Sequence, residues 1–437
     1  MSQPVTHRRV LAIALPVVLS HATVPILGIV DTGVVGQLGE AAPIAAVGLG
    51  SVILTAIYWV FGFLRMGTTG LAAQARGEGN RAEVAAILTR VILIGLAAGL
   101  ALIALQTLLF RAAFAVSPAS DEVEGLARAY MTIRVWSAPA AIALYGIIGW
   151  LIAAERTRAV LVLQLWMNGL NMGLDLWFVL GLDWGIEGVA AATFLAEWTA
   201  LALGLWLCRS AFRHPSWRDW PRVMDRVRLI RMAQVNGDIL IRTAALQSIF
   251  LSFMMFGARF GDVSLAANQI LLQFLYVTGY ALDGFAFAAE ALVGGAIGAR
   301  DRAALRRSAL LTSGWGLACN LLLSLSFLLF GPLAIEIMSE AREVNAAARA
   351  FLPWMVIAPL AGLASWMLDG IFIGATRTGD MRNMMILSAI AYFATAALLM
   401  PLYGNHGLWA ALILSFLYRG ALLGWRYPAL ERAAGPA

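Results

Sequence analysis

The sequence predicts an all-α integral membrane protein: twelve transmembrane helices in two six-helix lobes related by a pseudo-two-fold axis along the membrane normal. Three observations predict it. The first is composition. Of 437 residues 61% are hydrophobic and 13% charged, where a soluble domain has about 45–50% and about 25%. Twelve spans of about 20 residues need about 240 apolar positions, and 61% of 437 residues is roughly 267. The second is segmentation. Apolar stretches fall at 10–34, 44–70, 86–110, 130–153, 160–182, 188–208, 233–257, 265–297, 308–332, 351–375, 384–403 and 407–427, each long enough to cross a bilayer as a helix. The third is an internal repeat. "IAAERTRA" (152–159) returns as "IGATRTGD" (373–380), and "ARGEGNRAE" (75–83) as "AIGARDRAA" (296–304), both at an offset of 221, while "GIEG" (185–188) returns as "GNHG" (404–407) at 219. Six helices per copy is an even number, so both copies face the same way, as parallel repeats do.

This composition excludes a soluble enzyme, a disordered chain, a nucleic-acid-binding module and a disulfide scaffold. The net charge of +6 comes from arginine alone, since the chain has no lysine. Cys208 and Cys319 are too few for a disulfide framework or a cysteine metal site. His7, Arg8 and Arg9 precede an apolar run that extends to Gly36 without a small-x-small cleavage pattern, which reads as a first span and not a signal peptide. With the N-terminus placed inside, the cytoplasmic segments hold 21 arginines and the opposite side 5. That bias puts both termini in the cytoplasm. The lobes are expected at 1–208 and 232–437. The segment 209–231, "RSAFRHPSWRDWPRVMDRVRLIR", is a cytoplasmic polybasic linker with seven arginines. Its Trp217 and Trp220 suit a segment lying on the membrane surface; an ordinary polybasic loop is the equal alternative.

Ionisable residues inside spans are costly and mark function. Asp31 lies near the outer end of the first helix, beyond Pro25, which bends that helix. Asp175 lies near the outer end of the fifth and Thr193 a little way into the sixth. At 1.5 Å per residue all three sit roughly 7 Å below the outer surface. Gln164, Asn168, Asn171 and Asp175 are spaced 4, 3 and 4 apart, one stripe on the fifth helix. Glu197 is one turn from Thr193. These are hard oxygen donors suited to a proton or Na⁺. Burial disfavours a carboxylate's charged form, and a second carboxylate disfavours it further. The alternative is that Asn171 and Thr193 are interhelical hydrogen-bond glue. In the second lobe Asp283 and Glu290 share a face of the eighth helix and Asp369 lies inside the tenth. The acids are not repeated: Asp175 maps onto Ala396 and Asp369 onto Ile148. Pairing of Asp283 and Glu290 with Arg242 or another buried arginine is an equal reading. Tyr130 begins the fourth helix as an interfacial anchor, and Gly95 and Gly99 form a packing GxxxG. No G-x-x-x-x-G-K-[ST], H-E-x-x-H or G-x-S-x-G occurs, so no nucleotide, metal or serine-hydrolase chemistry is expected and an ion gradient must supply the energy.

"LPVVLSHATVPILGIVDTGVVGQLG" (15–39) and "FGFLRMGTTGLAAQARGEGN" (61–80) resemble the multidrug and toxic compound extrusion (MATE) transporters of the DinF branch, as do "LDGFAFAAEALVG" (282–294) and "LDGIFIGATRTGDMRN" (368–383). The resemblance covers essentially the whole chain. It implies export of cationic, amphiphilic small molecules in exchange for H⁺ or Na⁺, with no cofactor and no nucleic-acid partner, by a monomer in the bacterial inner membrane. The branch's first-lobe cation site implies roles for Asp31, Asn171, Asp175, Thr193 and Tyr130, the first four as Na⁺ ligands where Na⁺ drives transport. The NorM branch is similar but uses second-lobe acids. Asp369 resembles one, while "ALQSIFLSF" (245–253) lacks the seventh-helix glutamate. Two alternatives remain: a lipid-linked precursor flippase of the same superfamily, which needs basic residues in its cavity, and a membrane-embedded enzyme, which needs a nucleophile and base that the sequence does not offer.

Overall fold

The computed structural model describes residues 4–37, 41–116 and 119–435, without the side chains of Ile29, Asp31 and Thr32. Every regular element among them is helical: α1 (His7–His21), α2 (Thr23–Gly36), α3 (Ala41–Trp59), α4 (Phe63–Gly77), α5 (Arg81–Val116), α6 (Asp121–Arg134), α7 (Ala138–Ala153), α8 (Thr157–Asp175), α9 (Gly185–Leu207), α10 (Arg209–Phe212), α11 (Trp220–Val223), α12 (Arg226–Gly257), α13 (Asp262–Gly298), α14 (Arg302–Met338), α15 (Arg342–Gly374) and α16 (Thr378–Arg432). Ten helical runs among the described residues are long and apolar enough to cross a membrane. The twelve expected spans exceed that number for two physical reasons. The fifth span, α8, carries the Gln164–Asp175 stripe, which lowers its hydropathy. The eleventh and twelfth are joined in α16, whose course breaks at Gly404, with φ 57° and ψ −133°. This is a conformation that only glycine adopts without strain. The amides of Asn268 and Asn405 bond reciprocally at 2.9 Å beside the break, and Trp409 donates to Asn268 at 2.8 Å.

The chain divides into two compact units: Met1–Val18, Gly77–Gly79 and Arg231–Ala437 in one, Leu19–Arg76 and Asn80–Ile230 in the other. They are called here the second and first lobes. In the first lobe Val34, Leu54, Tyr58, Phe110, Tyr130 and Met131 form a core. Gly95 and Gly99 let α5 close on α7: a Cβ at either position would strike the backbone of Ala143 or Pro139, so this GxxxG is a packing device. In the second lobe Phe253, Trp409 and Tyr392 anchor the core, with the Phe253 and Trp409 rings 4.6 Å apart. The repeat is written into the backbone. Left-handed φ occurs at Gly79 and Arg300, and at Glu155 and Thr376, each pair 221 residues apart. Outward faces are apolar: Leu321, Leu325, Leu328 and Leu329 of α14 are all exposed, as a lipid solvent requires.

The 209–230 part of the linker folds onto the first lobe. Thr89 of α5 donates to the Trp217 carbonyl at 2.8 Å, and buried Arg90 donates to the carbonyls of Arg222 and Val223 at 2.6 and 2.8 Å. Cys208, just beyond α9, is buried. Burial pushes its thiol up to about 12, against the opposing pull of Arg156.

Candidate functional site

Helix α8 is amphipathic in reverse. Asn168, Asn171 and Asp175 are buried, Asp175 completely, while Leu165 and Trp166 are exposed, as are Leu176 and Trp177 just beyond its end. A polar stripe turned inward and an apolar face turned outward suit a helix solvated by lipid. Two hydrogen bonds fix the stripe. Asn171 Nδ2 donates to Thr193 Oγ1 of α9 at 3.1 Å, and Thr193 donates in turn to the Val189 carbonyl at 3.1 Å. Asn168 Nδ2 donates to Thr23 Oγ1 of α2 at 2.7 Å, and Thr23 to the Ser20 carbonyl at 2.7 Å. Directly after Asp175 the helix widens into a π-turn, Leu176–Gly181, with Leu182 N–H donating to the Trp177 carbonyl at 3.0 Å. Such turns often mark functional positions.

The first span is interrupted at Ala22, between α1 and α2. Pro25 explains the position. Its missing N–H would have bonded to the His21 carbonyl, so the break falls one turn ahead of the ring. Asp31 lies on α2, which packs against α8; its side chain is outside the described residues. Of the other expected site residues, Asn171 and Thr193 are brought into contact, and Asp175 lies one turn from Asn171. Tyr130 is buried on α6 and shares a 2.9 Å hydrogen bond with Ser51 of α3. Its hydroxyl has no recorded hydrogen bond to the α8 stripe among the described residues. Glu197, which sequence spacing put beside Thr193, pairs instead with Arg134 of α6 at 2.9 Å. Arg134 also donates to Ser137 Oγ at 2.8 Å, and Tyr58 donates to the Arg134 carbonyl at 3.1 Å. Among the described residues no group of three or more His, Cys, Asp or Glu is placed to hold a metal ion.

The second lobe treats its acids differently. Asp369 on α15 bonds to Arg242 of α12, and Arg419 of α16 stands 3.6 Å away. Arg419 also donates to Ser365 Oγ at 3.0 Å. All three charged groups are buried. Arg242, one of the partners weighed for Asp283 and Glu290, is thus engaged by Asp369. Glu290 is buried and Asp283 half-buried on α13. Asp238 is held by Arg382 at 2.5 Å and Thr378 at 3.0 Å. Sequence reasoning missed Arg134 and Arg419, and gave Arg242 other partners. The available signal was an arginine in the midst of an apolar run, as in "TIRV" and "LYRG".

Residues 16–177 and 239–402 each match the family model MatE. The chain is 37% identical over 423 residues to DNA damage-inducible protein F of Escherichia coli K12, covering 95% of this chain and 91% of that one. It is 27% identical over 443 residues to a probable multidrug resistance protein NorM of Synechococcus, covering 95% and 92%. Its fold is similar to that of the Vibrio cholerae MATE transporter VcmN in its bent form, with TM-score 0.89 and 19% identity over 98% of this chain and 97% of that one.

Proposed function

We propose, because this chain belongs to the MatE family of multi-pass membrane transporters, that it is a cation-coupled antiporter. On this reading it exports cationic or amphiphilic small molecules by alternating access, is not an enzyme, uses no cofactor, and acts as a monomer in the bacterial inner membrane with both termini cytoplasmic. The observation that carries the reading is a fully buried carboxylate, Asp175, within a membrane span, one turn from an asparagine held to Thr193. Lipid-embedded acids are retained for ion or proton traffic. Asp175, Asn171, Thr193 and Asp31 hold the coupling H⁺ or Na⁺, and Tyr130 belongs to the same lobe's binding surface. The ion enters from outside, α2 reorients about the break preceding Pro25, and substrate is released. For exchange to be driven, ion and substrate must favour opposite states. The test is dye efflux from proteoliposomes under an imposed pH gradient and then a Na⁺ gradient, with Asp31→Asn and Asp175→Asn beside the wild type. Undiminished concentrative efflux in both variants would overturn the reading.

A second reading, translocation of an anionic lipid-linked precursor, draws on one observation: two buried guanidiniums share a single carboxylate in the second lobe. The same proteoliposomes distinguish it, since a flippase moves labelled precursor between leaflets and leaves cationic dye where it is.

A further inference from the structure

The segment from Trp206 to Ile230 sorts its charges. Each carboxylate of the region is engaged by an arginine of the region. Glu83 takes Arg90 at 2.7 Å and also Arg228, Asp219 takes Arg222 Nε at 3.4 Å, and Asp225 stands 3.9 Å from Arg228 Nε. Arg209, Arg213, Arg218 and Arg226 are left over. All four are exposed and none has a carboxylate partner among the described residues. Five apolar side chains of the same segment are also exposed: Trp206, Trp220, Met224, Val227 and Ile230, Val227 by 77%. The Met224 N–H donates to the Trp220 carbonyl at 2.8 Å, so those two side chains lie one above the other. Val227 and Ile230, three apart on α12, share a face. The Arg209 guanidinium lies 4.0 Å over the Trp206 ring.

Depth decides what covers such a face. Helix α12, Arg226–Gly257, has 32 residues. It reaches roughly 48 Å, well beyond the hydrocarbon thickness of about 30 Å. With 233–257 in the hydrocarbon, residues 220–230 stand at headgroup level, where tryptophan and arginine are the side chains that anchor. We propose that this face is a binding surface for anionic phospholipid headgroups. The four arginines take the phosphates, while Trp220, Met224 and Val227 sink between the chains. The fold supplies the rigidity: Arg90 and Thr89 pin the segment from behind, so the face is presented already formed.

The test reads lipid and not transport, so it stands whether or not the antiport reading does. Full-length protein is reconstituted in phosphatidylcholine vesicles, and the relative association of spin-labelled phosphatidylglycerol over spin-labelled phosphatidylcholine is measured. The wild type is expected to prefer the anionic lipid by about fivefold or more, one arginine's share of surface attraction or better. Arg213→Gln/Arg218→Gln/Arg226→Gln should bring the ratio toward one. Arg111→Gln/Arg259→Gln/Arg342→Gln, three exposed arginines assigned to the opposite side, removes equal charge and should leave the ratio unchanged. Wild type in about 0.5 M salt should also lose the preference, because the Debye length falls to about 4 Å; this arm needs no variant to fold. An equal ratio for both lipids, a preference that survives salt, or loss in the opposite-side variant to the same extent overturns the proposal.

Discussion

The two lobes share a scaffold and hold different buried acids. In the first, Asp175 is buried one turn from Asn171, which is bonded to Thr193 at 3.1 Å. In the second, Asp369 is clasped by Arg242 with Arg419 at 3.6 Å. A carboxylate near amide and hydroxyl oxygens has hard donors with which to share a small cation. One held by a guanidinium already has a resident cation, and admitting another means displacing an arginine within a membrane span. On the proposed reading, coupling belongs to the first lobe and structural cohesion to the second.

The sharpest break of that contrast is Asp175→Asn. Asparagine keeps size and hydrogen bonding but cannot change charge, so gradient-driven efflux should fall to the protein-free background with the folded protein still in the membrane. Asp369→Asn should fail in another way. It leaves Arg242 and Arg419 without their carboxylate, and breaking a buried pair costs about 3–5 kcal/mol. Yield and thermal midpoint should drop, while efflux per folded molecule keeps its dependence on the driving gradient. Exchanged phenotypes, with Asp175→Asn unstable but coupled and Asp369→Asn stable but uncoupled, would reverse the assignment.

A smaller effect sharpens the first-lobe side. Thr193→Val removes the acceptor of the Asn171 amide and leaves a buried donor unpaired, at a cost of about 1–3 kcal/mol. The apparent affinity for the driving ion should fall about tenfold, the equivalent of about 1.4 kcal/mol. Thr193→Ser, which keeps the hydroxyl, should restore it. Equal loss in both variants would mean that the methyl group, and not the hydrogen bond, matters.

Hydropathy made the spans legible, and the helical spacing of Asn168, Asn171 and Asp175 put them on one face before any coordinate did. The break at Ala22 follows from Pro25, and the 221-residue offset reappears as matching backbone turns at Glu155 and Thr376. Ion-pair partners were not legible. Glu197 sits one turn from Thr193 in sequence, yet its charge belongs to Arg134, 63 positions earlier. Arg242 and Asp369 are 127 apart. Periodicity reports which face a residue occupies and carries no information about which distant helix meets that face. For the same reason the linker's docking on Arg90 was invisible, since it depends on backbone carbonyls that every sequence possesses.

The last prediction tests the orientation that places Asp175 in the outer half of the membrane. Cys208 lies at the start of the linker, but burial holds its thiol near 12 against an ordinary value of 9.0. Thiolate is the reactive species, so at neutral pH the folded protein should label there about a thousandfold more slowly than a free thiol does. The rate should rise about tenfold per pH unit, because the group stays far below its midpoint. Unfolding should release it. Arg213→Cys, five residues on and exposed, should label quickly. In a background with Cys319→Ser, a membrane-impermeant maleimide should reach that cysteine in inside-out vesicles and not in intact cells. Labelling in intact cells would turn both lobes over together and move Asp175 to the cytoplasmic half of the membrane. The pairing of Asp369 with Arg242 would be untouched, since it depends on contacts within the lobe and not on which way the lobe faces.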